Sequence, residues 1–234
     1  MMRLAGHYAK AGLAGAAVAL LTLTGPVWAA ESDTAAAPPP AHVDPLPDMT
    51  LGKQTAPINI IEYASMTCPH CAHFDETVFP ELKKDYIDTG KVYYVFREFP
   101  LDGVALRASM VARCMNKEHF FPFIHTLFHT QLTWANPDNW NDEKKSIDDK
   151  QTPMATIAKQ QGGLSREQFD KCVADNTLRE QIAQQAQRGA DVFQVPGTPA
   201  VYVNGKLFAE AASYEALDAH LKELLGKNQP ASGQ

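Results

Sequence analysis

Two cysteines separated by a proline and a histidine, Cys68-Pro69-His70-Cys71, are the residues of this sequence best suited to chemistry. A pair at this spacing can close into a disulfide and reopen, passing two electrons to or from another pair of thiols. Just before it, Ile58-Asn59-Ile60-Ile61-Glu62-Tyr63-Ala64 is a nearly continuous apolar run, the pattern of a strand buried on both faces. Just after it, Ala72 to Phe79 reads as a helix. Cys68 is therefore expected at a helix start, where unpaired backbone N–H groups and the positive end of the helix dipole favour a thiolate. Its pKa is expected below the ~8.5 of a free cysteine. Cys71, one turn on, is expected to be more buried and to act as the resolving partner.

The elements that must position this pair follow from the rest of the chain. Its 234 residues, 45% of them hydrophobic, suffice for one good-sized domain or a domain with a large insertion. Residues 1–29 read as a secretory signal peptide. Arg3 and Lys10 give a positive start, Ala11 to Leu23 a short apolar stretch, and Val27-Trp28-Ala29 a cleavage site after Ala29. The apolar stretch falls short of the about 20 residues of a membrane span, although an uncleaved anchor is the alternative. Taking Arg3 and Lys10 from the 21 Lys and Arg leaves 19 against 27 Asp and Glu, a net charge of −8. So acidic a chain argues against nucleic acid or a polybasic membrane attachment. Residues 30–48, rich in Ala and Pro, read as a flexible tether, and the compact fold is expected from Met49.

The helix opened by the cysteine pair is expected to reach Asp88, with Pro80 kinking it or ending its first half. Lys91 to Arg97 is a second strand, and strand–helix–strand at this spacing predicts a parallel pair. Helical patterns then fill Val104–Met115, His119–Leu132, a third helix from Pro153 to Gly162-Gly163, and a fourth after Ser165. The longest helix is expected over Thr177–Phe193, with Leu178, Ile182, Ala186, Ala190 and Phe193 on one face. Ala200–Val203, the Asn204-Gly205 turn and Lys206–Phe208 read as a β-hairpin, followed by a helix capped by Ser213 and ending at Gly226. The assignment is thus residues 49–102 and 190–226 as one α/β domain, 103–189 as an all-helical insertion, and 227–234 as a frayed tail.

This order of elements, with Cys68-Pro69-His70-Cys71 after the first strand, Gly197-Thr198-Pro199 before the hairpin and a helical insertion between, resembles the DsbA family of exported thiol:disulfide oxidoreductases. The resemblance covers Met49 to Gly226. It implies a thioredoxin-like fold with a central mixed sheet. Cys68 would be the nucleophile that forms mixed disulfides with clients, while Pro69 and His70 form the dipeptide that tunes the pair. The His70 imidazole would donate to the Cys68 thiolate or carry positive charge. Pro199 resembles the cis-proline that faces the cysteine pair, and the backbone of Thr198 would pair with an extended client segment. Glu62 resembles a buried proton acceptor for the resolving thiol, with Lys91 as a candidate counter-charge; a strand-end surface glutamate is the alternative. The implied clients are exported proteins with free cysteines, acted on by a monomer without metal or cofactor. A DsbB-like membrane quinone reductase would reoxidise the pair in the periplasm. Threonine rather than valine before Pro199 also fits isomerase branches. A disulfide isomerase or reductase, and a redox-inert binding or chaperone module, therefore stay open.

Cys114 and Cys172 lie on the apolar stripes of two insertion helices. In an exported protein they are expected to form a structural disulfide. Closing a loop of that length restricts the unfolded chain by about 4 kcal/mol in the entropy model. Two buried free thiols are the alternative. His125 and His129 are one helical turn apart but read as ordinary boundary residues, and His73 stands one place late for a c-type haem site. Phe120-Phe121-Pro122-Phe123, with Phe128 and Trp134, reads as helix core that could partly line a client groove.

Overall fold

The computed structural model describes residues 45–135 and 153–227. The expected signal peptide, residues 30–44 of the tether, the polar stretch from residue 136 and the tail after 227 lie outside the described residues. The chain runs through β1 (Met49–Leu51), β2 (Ile58–Ala64), α1 (Pro69–Thr77), α2 (Phe79–Leu82), a π-helical turn (Lys83–Ile87) and β3 (Val92–Glu98). Helices α3 (Gly103–Arg113), α4 (Lys117–His129), α5 (Gln131–Trp134), α6 (Pro153–Gly162), α7 (Arg166–Ala174) and α8 (Asn176–Val192) follow. The chain returns through β4 (Ala200–Val203), β5 (Lys206–Phe208) and α9 (Tyr214–Lys227).

The five strands form one mixed sheet in the order β1-β3-β2-β4-β5. β2 and β3 are parallel, from Ile58 opposite Val92 to Ala64 opposite Glu98, as a helical crossover requires. The other pairs are antiparallel. β1, which the sequence pattern does not single out, lies along β3. The Asn204-Gly205 turn has positive φ at both residues, as a tight hairpin demands. This is the thioredoxin-like fold with helices inserted between its two halves.

Four expectations change in detail. Helix α1 stops at Thr77, the chain bends at Val78 (φ −107°), and Pro80 sits inside the first turn of α2, where its missing N–H costs nothing. The tether does not reach residue 48. Leu46 is buried with Met110 and Ile182, and Asp48 grips Arg97 at 2.8 and 2.9 Å, so the described fold is already packed at its first residues. The buried face of α8 runs through Ile182, Gln185 and Gly189 rather than Ala186, Ala190 and Phe193. Gly189 sets this rotation: a Cβ there would stand 2.9 Å from the Tyr63 ring, so only glycine lets α8 approach β2 so closely. Finally, α8 crosses the boundary expected at residue 190.

One apolar core spans both halves, from Ile58, Ile60, Phe74 and Phe96 on the sheet side to Phe120, Phe123, Trp134 and Phe169 in the helices. The aromatic run of α4 is therefore core, with Phe120 and Phe123 fully buried. A disulfide joins Cys114, after α3, to Cys172 in α7. Ser165 and Gln168 form the capping box of α7. At the end of β3, at the same alternation as Tyr94 and Phe96, the fully buried Glu98 receives both arms of Arg113 from α3 and the amide of Gln185 from α8. Arg113 also donates to the Pro47 carbonyl. Among the described residues no helix is long and apolar enough to cross a membrane.

Because Glu98 has no access to water, removing its cation leaves a buried charge uncompensated. Arg113→Met is expected to lower the unfolding free energy by about 3–5 kcal/mol, measured by urea denaturation.

Candidate active site

β2 delivers the chain to a tight turn in which the Cys68 N–H bonds the Ser65 carbonyl at 3.1 Å, and α1 starts at Pro69. Cys68 is the extended N-cap residue (φ −77°, ψ 120°), and no side chain caps the helix. Pro69 has no N–H, so the His70 N–H is the first that α1 can turn towards a sulfur, and the Cys71 N–H is shared with the Cys68 carbonyl at 3.1 Å. Cys68 and Cys71 are both thiols here, 6% and 0% exposed. The Cys68 pKa falls to about 4. Donation by the Cys71 thiol contributes most; the Thr198 hydroxyl and the backbone N–H groups of Cys71 and His70 add to it, against the cost of burial. The neighbouring thiol therefore outweighs the helix start on which the sequence reading relied.

Cys71 is the opposite case. Burial pushes its pKa far up, and its donation to Cys68, together with the charges of Glu62 and Cys68, pushes it further. The two sulfurs are made as unlike as possible. Glu62 faces the same side of β2 as Ile58 and Ile60 and is 3% exposed, so it is not a surface residue. Burial raises its pKa to about 8, opposed by a hydrogen bond from the Tyr94 hydroxyl and assisted by the charges of Asp75 and Cys68. Lys91 is not its counter-charge. That ammonium bonds the Asp85 carbonyl and lies over the Tyr86 ring. Tyr94 takes the place, because alternation along β3 puts it on the face it shares with Phe96, the residue beside Glu62. Asp75 in turn bonds His125 of α4, and His129 pairs with Glu76, so each of these histidines holds a carboxylate.

The Thr198-Pro199 peptide bond is cis, and the Thr198 carbonyl accepts the Cys68 thiol at 3.2 Å. The buried Thr198 hydroxyl has no partner while Cys68 is a thiol. It becomes a donor only to the thiolate. Pro69 and His70 are exposed. The His70 backbone N–H is among the groups that favour the Cys68 thiolate. The structure thus brings together Cys68, Cys71, Glu62, Thr198 and Pro199, with Pro69 and His70 on the rim. It adds residues that the sequence did not flag. Gln131 of α5 donates to the carbonyls of Met66 and Cys68, and Thr67 donates to Asp102, the N-cap of α3, at 2.6 Å. A cavity of about 730 Å³ opens beside Cys68, lined by Thr67, Pro69, Val104, Gln131, Leu132 and Ala135 among others.

Residues 45–223 match the family model described as thioredoxin. A Bacillus subtilis protein named disulfide bond formation protein D is 30% identical over 189 residues, covering 76% of this chain and 77% of its own. The crystal structure of alpha-DsbA1 from Wolbachia pipientis superposes with a TM-score of 0.67 at 29% identity, covering 78% of this chain and 94% of that one. The chain belongs to the DsbA-like family. A Rickettsia bellii relative, named as a protein-disulfide oxidoreductase, is 37% identical over 158 residues. The chain spans 57% of that protein's length. A Novosphingobium aromaticivorans protein-disulfide isomerase shares the fold at 23% identity and a TM-score of 0.63.

Membership in the DsbA-like family and the asymmetry of the pair lead to two titrations. In the reduced protein, thiolate absorbance is expected to appear with a midpoint near pH 4 and to vanish in Cys68→Ala. Because Glu62 holds its proton in the fold up to about pH 8 and loses it near 4.5 when unfolded, its stability contribution is complete below 4.5 and is lost as pH rises towards 8. Glu62→Gln is expected to flatten that decline, so that chemical denaturation at pH 8 finds it more stable than the wild type.

Proposed function

We propose that this protein is an exported dithiol oxidase that donates the Cys68–Cys71 disulfide to client proteins. The observation that carries the reading is the stabilised thiolate of Cys68, with its pKa lowered to about 4. Every donor that lowers the energy of the thiolate stabilises the reduced pair. It therefore makes the disulfide easier to reduce and more strongly oxidising. A client thiolate attacks Sγ of Cys68, the S–S bond breaks, and Cys71 leaves and takes the proton that Glu62 holds. A second client thiolate then attacks the client sulfur of the mixed disulfide and releases Cys68 as a thiolate. The client is oxidised by two electrons and the pair is reduced by two, so the cycle uses no prosthetic group. The cis-proline loop and the cavity beside Cys68 supply a place for an extended client segment, paired through the backbone of Thr198.

The exported setting is supported by the pattern of residues 1–29, and in the periplasm a DsbB-like quinone reductase in the membrane would reoxidise the pair. The protein would act as a monomer, since a client needs only the one exposed rim around Cys68. A second reading, disulfide isomerase or reductase, is favoured by Thr198 alone. Its hydroxyl, however, donates to the Cys68 thiolate and so adds to the oxidising bias.

Equilibration with glutathione separates the two. The oxidase reading expects a potential well above that of thioredoxin, about −270 mV, and a value that low would sink it. Cys71→Ala is expected to accumulate a client mixed disulfide on Cys68 that mass spectrometry detects. Glu62→Gln is expected to slow reduction of the disulfide by a client dithiol at neutral pH on the order of a hundredfold.

A further inference from the structure

Gln131 is the first residue of α5, inside the helical insertion, and only 9% exposed. Its Nε2 donates to the Met66 carbonyl at 2.9 Å and to the Cys68 carbonyl at 3.1 Å. These two carbonyls bracket the corner at which β2 gives way to α1. The Cys68 carbonyl also accepts the first two bonds of α1, from Cys71 and Ala72, each at 3.1 Å. Its orientation fixes the peptide plane between Cys68 and Pro69, and with it the direction in which the His70 and Cys71 N–H groups point.

A side chain that reaches the corner from another part of the fold must itself be held. Trp134, at the other end of α5, is fully buried and donates to the Leu127 carbonyl at 2.7 Å, so α5 cannot swing away. Thr67, between the two gripped carbonyls, is held from the same side by Asp102. A primary amide suits the task because its two N–H groups can serve two carbonyls at once, which a hydroxyl cannot.

We propose that Gln131 is a positioning residue for the redox pair: its carboxamide clamps the Met66–Cys68 corner so that the helix-start N–H groups stay on the Cys68 sulfur. The helical insertion thereby sets the nucleophilicity of Cys68. The benefit falls on the thiolate and hardly on the disulfide, because donors aimed at sulfur gain most when the sulfur carries charge. The role rests on the thiol–disulfide reading of the site.

The test compares wild type with Gln131→Leu, which keeps the volume and removes both donors. Two quantities are read: the midpoint of thiolate absorbance in the reduced protein, and the equilibrium with glutathione. The expected result is a rise of about one pH unit in the Cys68 midpoint. A tenfold weaker oxidising equilibrium accompanies it, equivalent to a potential about 30 mV lower. A variant that melts earlier but keeps the midpoint and the equilibrium of wild type would reduce Gln131 to a structural residue and overturn the proposal. If the variant does not fold, the wild type decides. The side-chain amide resonances of Gln131 in ¹⁵N-labelled protein are expected to shift with the ionisation of Cys68 and to differ between oxidised and reduced forms; resonances that ignore both overturn the clamp. A wild-type pair that fails to exchange with glutathione at all would refute the functional reading itself.

Discussion

The opposed ionisation of two neighbouring thiols, one favoured as a thiolate and the other held protonated by burial, is the constraint on which the site depends. Cys71 keeps its proton because it is buried, and it can favour the charge on Cys68 because the two stand at one helix start, Cys68 as the N-cap and Cys71 in the first turn. Neither feature suffices alone. Two equally exposed thiols would share the charge and have no preferred nucleophile. Two equally buried ones would both stay neutral. The fold supplies the asymmetry: Cys71 is fully buried in the core, while Cys68 stands at the helix start with its thiol on the Thr198 carbonyl of the cis-proline loop.

Placing a carboxyl on β2 beneath this pair has a cost, and the structure moderates it with a phenol in place of a cation. A lysine beside Glu62 would keep it ionised. The Tyr94 hydroxyl instead satisfies one oxygen and leaves burial to hold the proton, with Asp75 adding to the effect. The result is an acid that is charged or neutral within the range where thiols exchange. The residue exposed beside the sulfurs, His70, contributes its backbone N–H.

What could be read from the sequence was whatever carries its own signature. The cysteine spacing, Thr198-Pro199, the Asn204-Gly205 hairpin and the capping box at Ser165 each bind local chemistry to local geometry. What could not be read were contacts between distant segments. Nothing near Gln131 in sequence says that a polar side chain in the insertion turns inward to the corner before α1. Tyr94 looked like one of several strand aromatics, and only its register opposite β2 brings its hydroxyl to Glu62. The rotation of α8 was hidden because the pattern counted alanines as apolar, whereas the close approach to Tyr63 needed Gly189. The packed end of the tether was missed because Leu46 and Asp48 look unremarkable in a proline-rich context. Their partners, Ile182 and Arg97, are far along the chain.

The buried carboxylate of Glu98 has a bearing on how the chain assembles. It terminates the central parallel pair, yet its partners come from α3, from α8 more than eighty residues later and, through Arg113, from the segment ahead of β1. Until all of them arrive, withdrawing that charge from water is uphill. The end of the sheet, the inserted helices and the segment ahead of β1 therefore share one electrostatic dependency, and a change in any of them is felt by the others.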